Sequence, residues 1–169
     1  MKQESGLLLK QFVSCFHADP LCSDFTEFKV YSQRTDPITL QQFYNLIPRR
    51  FPPLYEELLL SYRWERADLA SFRLLANPPG PDFSGLLAEM TVNKNLFSIC
   101  LKNGFIQFGF GPGVCYDPVC FDLNGKSHRK NYKAVILDHE EILCNSKTEV
   151  KAILADNFEN LVRSTVQNG

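Results

Sequence analysis

GFIQFGFGPGVCYDPVCFD, residues 104–122, decides how this chain is read. Its two halves are strand-like runs of aromatic and apolar residues. The glycines and Pro112 between them supply positive φ and a preset corner, as a turn between two strands requires. The stretch matches neither Gly-x-x-x-x-Gly-Lys-Ser/Thr nor Gly-x-Gly-x-x-Gly, and GFGPG runs into strand-like YDPVCFD instead of a helix N-terminus, so a phosphate cradle is not indicated. Cys115 and Cys120, with Asp117, Asp122 and His139, are ligand types that zinc accepts. Their odd spacing sets the two thiols on opposite faces of a regular strand, and only a bulge at Pro118 would bring them together. With no second short pair of cysteines, the expectation is core thiols, no metal and no cofactor.

Outward from this hairpin the periodicity alternates between helix and strand. Leu40, Phe43, Tyr44 and Ile47 recur at helical spacing behind Thr39 and Gln42, which read as a capping box, and the helix ends at Pro48. Tyr55, Leu58, Leu59 and Tyr62 repeat the spacing, with Pro53 in the first turn. SFRLLAN fits a strand closed by NPPGP, and residues 83–103 read as helix stopped by Asn103-Gly104. YKAVILD is a buried-strand run. Ser146 and Glu149 read as another capping box, opening a last helix whose stripe is Val150, Ile153, Leu154, Leu161 and Val162. Helices, then consecutive strands, then a terminal helix predict an α+β fold: a mostly antiparallel sheet packed by N-terminal, middle and C-terminal helices. The first forty residues carry the weakest signal, with FTEFKVYSQ alternating weakly, as a short strand or an irregular lead-in would.

At 169 residues, 44% hydrophobic and 12% aromatic, the chain suits one domain over 1–169: a lead-in over 1–38 and a core over 39–165. Its 18 basic and 19 acidic side chains leave a formal charge of -1, so no net field points to nucleic acid, membrane or an acidic substrate. Lys10 interrupts the apolar run of the N-terminus, and no window approaches the roughly 18 apolar residues of a membrane span, which predicts a soluble, cytoplasmic chain with six thiols instead of disulfides.

The densest chemistry is Asp138-His139-Glu140-Glu141 at the end of an apolar strand. Consecutive side chains there point in alternating directions, so the four do not converge on one atom; the plain reading has Asp138 capping the turn, His139 half-buried and both glutamates solvated. There is no Gly-x-Ser-x-Gly elbow, and no cysteine sits beside an evident base. KSHRKNYK, with Lys126, Arg129, Lys130 and Lys133 around Tyr132, reads as a charged loop.

Taken together, FPPLYEELLLSYRW, FIQFGFGPGVCYDPVCFDL, AVILDHEEIL and ILADNFENLV, in that order, resemble the SUKH superfamily, which holds fungal glucan-synthesis regulators and many bacterial immunity proteins. The proline-led helix of that family falls on Pro53, Leu54, Tyr55, Leu58 and Leu59. Its strand, glycine turn and aromatic–Asp step fall on Phe108, Gly109, Asp117, Phe121 and Asp122, and its last helix on Asn157, Phe158 and Leu161. Where the pattern has a second glycine before the aspartate, this chain has Tyr116. The resemblance implies an α+β fold and no catalytic residues. It also implies a protein-binding module whose partner is a protein such as a toxin domain. Tyr116, Asp117, Asp122, Asp138 and Glu140 are then the expected partner-binding residues, an aromatic anchor rimmed by carboxylates that suits a basic cleft. The alternatives are a metal-dependent hydrolase built on Asp122, Asp138, His139 and Glu141, and a small-ligand sensor using a groove beside the glycine turn.

Overall fold

The computed structural model describes residues 2–18, 29–47, 49–113, 115–125 and 131–168. Cys22 and most of the basic connection, residues 126–130, lie outside them.

The chain is α+β. Its sheet is an antiparallel meander of β4 (Ala67–Leu69), β5 (Phe72–Leu74), β6 (Phe105–Phe110), β7 (Pro118–Asp122), β8 (Lys133–Leu137) and β9 (Val150–Ala155), extended at the β4 edge by β1 (His17–Ala18). A separate ladder joins β2 (Val30–Ser32) to β3 (Tyr62–Trp64). The opening stretch is the strand, turn and strand that its residues predict: β6 pairs with β7 from Phe105↔Asp122 to Phe110↔Pro118. The bulge in this pair falls at Phe108 on β6, not at Pro118.

Alternation along β7 and β8 divides the core in two. Val119, Phe121 and Ala134 face the larger cluster, built with Phe12 of α1 (Lys2–Ser14), Phe43 of α2 (Pro37–Phe43), Tyr55 of α3 (Pro53–Ser61) and Phe158 of α7 (Phe158–Asn168). There the Phe108 and Phe121 rings stack at 4.1 Å, and Tyr55 meets Phe121 edge-on at 5.3 Å. Cys120, Val135 and Leu137 face the other way, into a smaller cluster closed by Leu96 and Cys100 of α5 (Lys94–Lys102) and Ile142 of α6 (His139–Asn145). Helices thus cover both faces of β7 and β8.

Several sequence expectations are corrected. The N-cap of α2 is Asp36, whose carboxylate accepts from Ile38 N, with Pro37 opening the helix; Thr39 instead donates to Asp36 O. Residues 83–103 form two helices, α4 (Ser84–Met90) and α5, because Asn93 starts a new cap by accepting from Leu96 N. Gly104 takes the left-handed stop at φ 79. The proposed capping box at Ser146 is a helix end: Ser146 closes α6 at φ 53, and residues 150–155 pair with β8 as the edge strand. Val150, Ile153 and Leu154 satisfy a helical period, but the open edge of β8 takes the same segment as a strand and satisfies its backbone groups. The last helix begins at Phe158, after Asn157 accepts from Asn160 N.

Candidate functional site

The turn between β6 and β7 is built by three constraints. Gly111 N donates to Asp117 O at 2.8 Å and closes it, while Gly113 bends it at φ 66. Arg73, a buried residue on β5, reaches across to donate to Cys115 O at 2.9 Å and to Gly111 O at 3.4 Å, with its guanidinium over the Phe110 ring. The β5 backbone comes so close that a Cβ on Gly109 would lie 2.3 Å from Arg73 O. Tyr116 is therefore presented outward, at 66% exposure, from a clipped turn.

Asp117, the next residue, points inward and is 4% exposed. Its Oδ1 accepts from His139 N at 3.1 Å and lies 2.6 Å from His139 Nδ1; its Oδ2 accepts from Lys151 Nζ at 3.0 Å. Lys151 also lies 3.3 Å from Asp138 Oδ2. Asp138 caps α6 by accepting from Glu140 N and Glu141 N, and so sets His139 at the first helical position. The register of β8 and β9 makes Lys151 an extra, bulged residue between Val150 and Ala152, the device by which an edge strand re-aims a side chain. Burial acts to raise the Asp117 carboxyl, but hydrogen bonds from the His139 side chain and backbone, Lys151 and Cys115 together hold it well below the usual carboxylate range. The Cys115 thiol moves the other way, pushed up by burial and further by the Asp117 carboxylate, so it is not a ready nucleophile.

Beside this network lies a groove of about 620 Å³. Gln107 and Phe110 of β6 and Arg73 of β5 form its sheet side. Met90, Val92 and Leu96 line it from the α4–α5 corner, and Tyr116, His139 and Leu143 from the turn and α6. Three exposed apolar or aromatic residues share this rim: Val92 at 75%, Tyr116 at 66% and Leu143 at 47%. Arg66 and Glu89 pair at 2.9 Å along it.

The expected partner-binding residues thus part company. Tyr116 and Glu140 are exposed. Asp117 lies beneath the surface and acts by positioning His139 and Lys151; Asp138 is half-buried and spent on the cap and on Lys151. Asp122 is at the other end of β7, five residues and roughly 17 Å of strand away, accepting from Asn124. The metal set Asp122, Asp138, His139 and Glu141 does not assemble. Asp117, Asp138 and His139 converge instead, with ligand atoms within 4.8 Å of one another, and the Lys151 ammonium bonds both carboxylates. Sequence reasoning missed Arg73, Lys151 and Leu143; a charged residue inside the apolar strand SFRLLAN was the one local signal for Arg73.

No helix among the described residues is long and apolar enough to cross a membrane. Comparison of the chain with family models, curated proteins and solved structures finds no match.

Proposed function

We propose that this chain is a non-catalytic protein-binding module of the SUKH kind, with a protein partner such as a toxin domain, and that its recognition face is the groove between the β6–β7 turn and α6. The observation that carries the reading is Val92, Tyr116 and Leu143 exposed together on one groove rim. Exposed apolar and aromatic residues clustered around a depression mark an interaction site. The network below supports the same use: His139 and Lys151 satisfy both oxygens of Asp117, which suits a scaffold that holds Tyr116 in place. The acidic rim of the sequence reading contracts to Glu140, so the partner is met chiefly by apolar and aromatic contact. The small-ligand sensor reading shares this groove.

The test is affinity capture from the source organism with three baits: wild type, a Tyr116→Ala/Leu143→Ala double variant, and Leu46→Ala, which removes an exposed leucine (63%) outside the groove lining. One protein held by wild type and Leu46→Ala through a high-salt wash, and lost by the double variant, supports the reading. The same protein held by all three baits moves the interface elsewhere, and no protein held at low salt argues against a binding module.

A further inference from the structure

We propose that His139 is the hydrogen-bond acceptor of the groove, and that the groove takes an aromatic side chain bearing a ring donor, a tryptophan or tyrosine of the partner. The inference rests on the binding-face reading above and specifies its chemistry.

His139 is fixed twice to one oxygen, its backbone N–H at 3.1 Å and its Nδ1 at 2.6 Å from Asp117 Oδ1. An ionised carboxylate only accepts, so Nδ1 carries the proton, and in the neutral imidazole Nε2 holds a lone pair. Nε2 meets no partner among the described residues, and His139 lines the groove. Met90, Leu96, Phe110 and Leu143 supply apolar walls; of the two neutral polar residues in the lining, Asn93 has its Oδ1 occupied by Leu96 N, and Gln107 donates its amide to Gly109 O. The Tyr116 ring stands beside the imidazole at 6.4 Å between centroids, in an edge-to-face arrangement.

This combination selects among side chains. An aliphatic anchor fills the apolar walls but strips water from Nε2 without replacing its hydrogen bond, an unfavourable exchange. A lysine or arginine supplies a donor, yet it meets Arg66 and Arg73 with a single carboxylate, Glu89, already paired with Arg66. An indole N–H or a phenol O–H brings the donor without charge on a body suited to the apolar and aromatic lining.

The experiment titrates ¹⁵N-labelled protein at about pH 8 with indole and with benzofuran, which nearly keeps the shape of the ring system and lacks the donor. Indole is expected to move the amide signals of Tyr116, His139 and Leu143 and to bind about two- to tenfold more tightly, the net worth of one hydrogen bond. In His139→Phe the difference between the two probes should vanish. Equal binding of both probes to wild type overturns the inference, as does no binding of indole up to its solubility. Long-range ¹H–¹⁵N spectra of the wild type give a check that needs no variant: a proton on Nε2 and a bare Nδ1 in the neutral ring also overturn it. If the probes fail while Tyr116→Ala/Leu143→Ala still loses the partner, only the acceptor inference falls and the binding face stands.

Discussion

The Asp117 carboxylate lies 2.6 Å from His139 Nδ1 through one oxygen and 3.0 Å from Lys151 Nζ through the other, so one buried group ties the β6–β7 turn to the start of α6 and to the edge strand β9. Its depressed carboxyl stabilises the fold fully above the ordinary aspartate value, about 3.9, and that contribution is lost as pH falls through the lower folded value. Asp117→Asn should cost about 2–3 kcal/mol at neutral pH. The gap to wild type in thermal unfolding should narrow as pH is lowered from 4 toward 2; a gap constant over that range contradicts an ionised Asp117.

Arg73 donates from β5 to the Gly111 and Cys115 carbonyls of the turn, so its loss should loosen the turn more than the sheet. Arg73→Met, which keeps the apolar stem, is expected to raise amide hydrogen exchange over residues 111–117 while β7 and β8 stay protected. Uniformly faster exchange would instead make Arg73 a core strut.

Tyr55 is wholly buried in the aromatic cluster, and its hydroxyl finds no hydrogen-bond partner among the described residues. Burial alone pushes the phenol up. Tyr55→Phe keeps the ring and removes the stranded polar atom, so it should be neutral or stabilising by about 1 kcal/mol in denaturant unfolding. A loss of more than that amount would reveal a bond the hydroxyl makes in solution.

Cys15, Cys100, Cys115, Cys120 and Cys144 are free thiols; Cys144 is exposed, while Cys100 and Cys120 are buried in the same smaller core cluster. Burial, then the neighbouring Cys100, pushes the Cys120 thiol up. An aromatic disulfide reagent should label Cys144 first and reach Cys120 only in denaturant, as read by peptide mapping. Prompt native labelling of Cys120 would show that α5 opens from the sheet.

Gly109 is placed by its neighbour's backbone, since a Cβ there would lie 2.3 Å from Arg73 O. Gly109→Ala should push β5 from β6 and destabilise by about 1–3 kcal/mol. Gly113→Ala meets no atom within 4 Å and strains only its φ of 66, so it should cost less, about 1 kcal/mol. Equal losses would mean that the β5–β6 approach is soft.

What the sequence determined by itself was local. The glycines and Pro112 between two apolar runs dictated a hairpin, and Leu40, Phe43 and Tyr44, like Tyr55, Leu58 and Leu59, dictated helices, because turn chemistry and side-chain period act over a few residues. The same reach explains why Asp138 was legible as a cap and the antiparallel α+β class as a whole. Tertiary structure decided the rest. Val150, Ile153 and Leu154 fit helix and strand alike, and the choice fell to the unpaired edge of β8, thirteen or more residues upstream. The site was decided in the same way: Arg73, Asp117, His139 and Lys151 stand far apart in the chain, and none carries a local mark of the others. They meet because a meander of antiparallel strands brings turns and strand ends to one end of the sheet, where a buried carboxylate must find donors from whatever segments pass it.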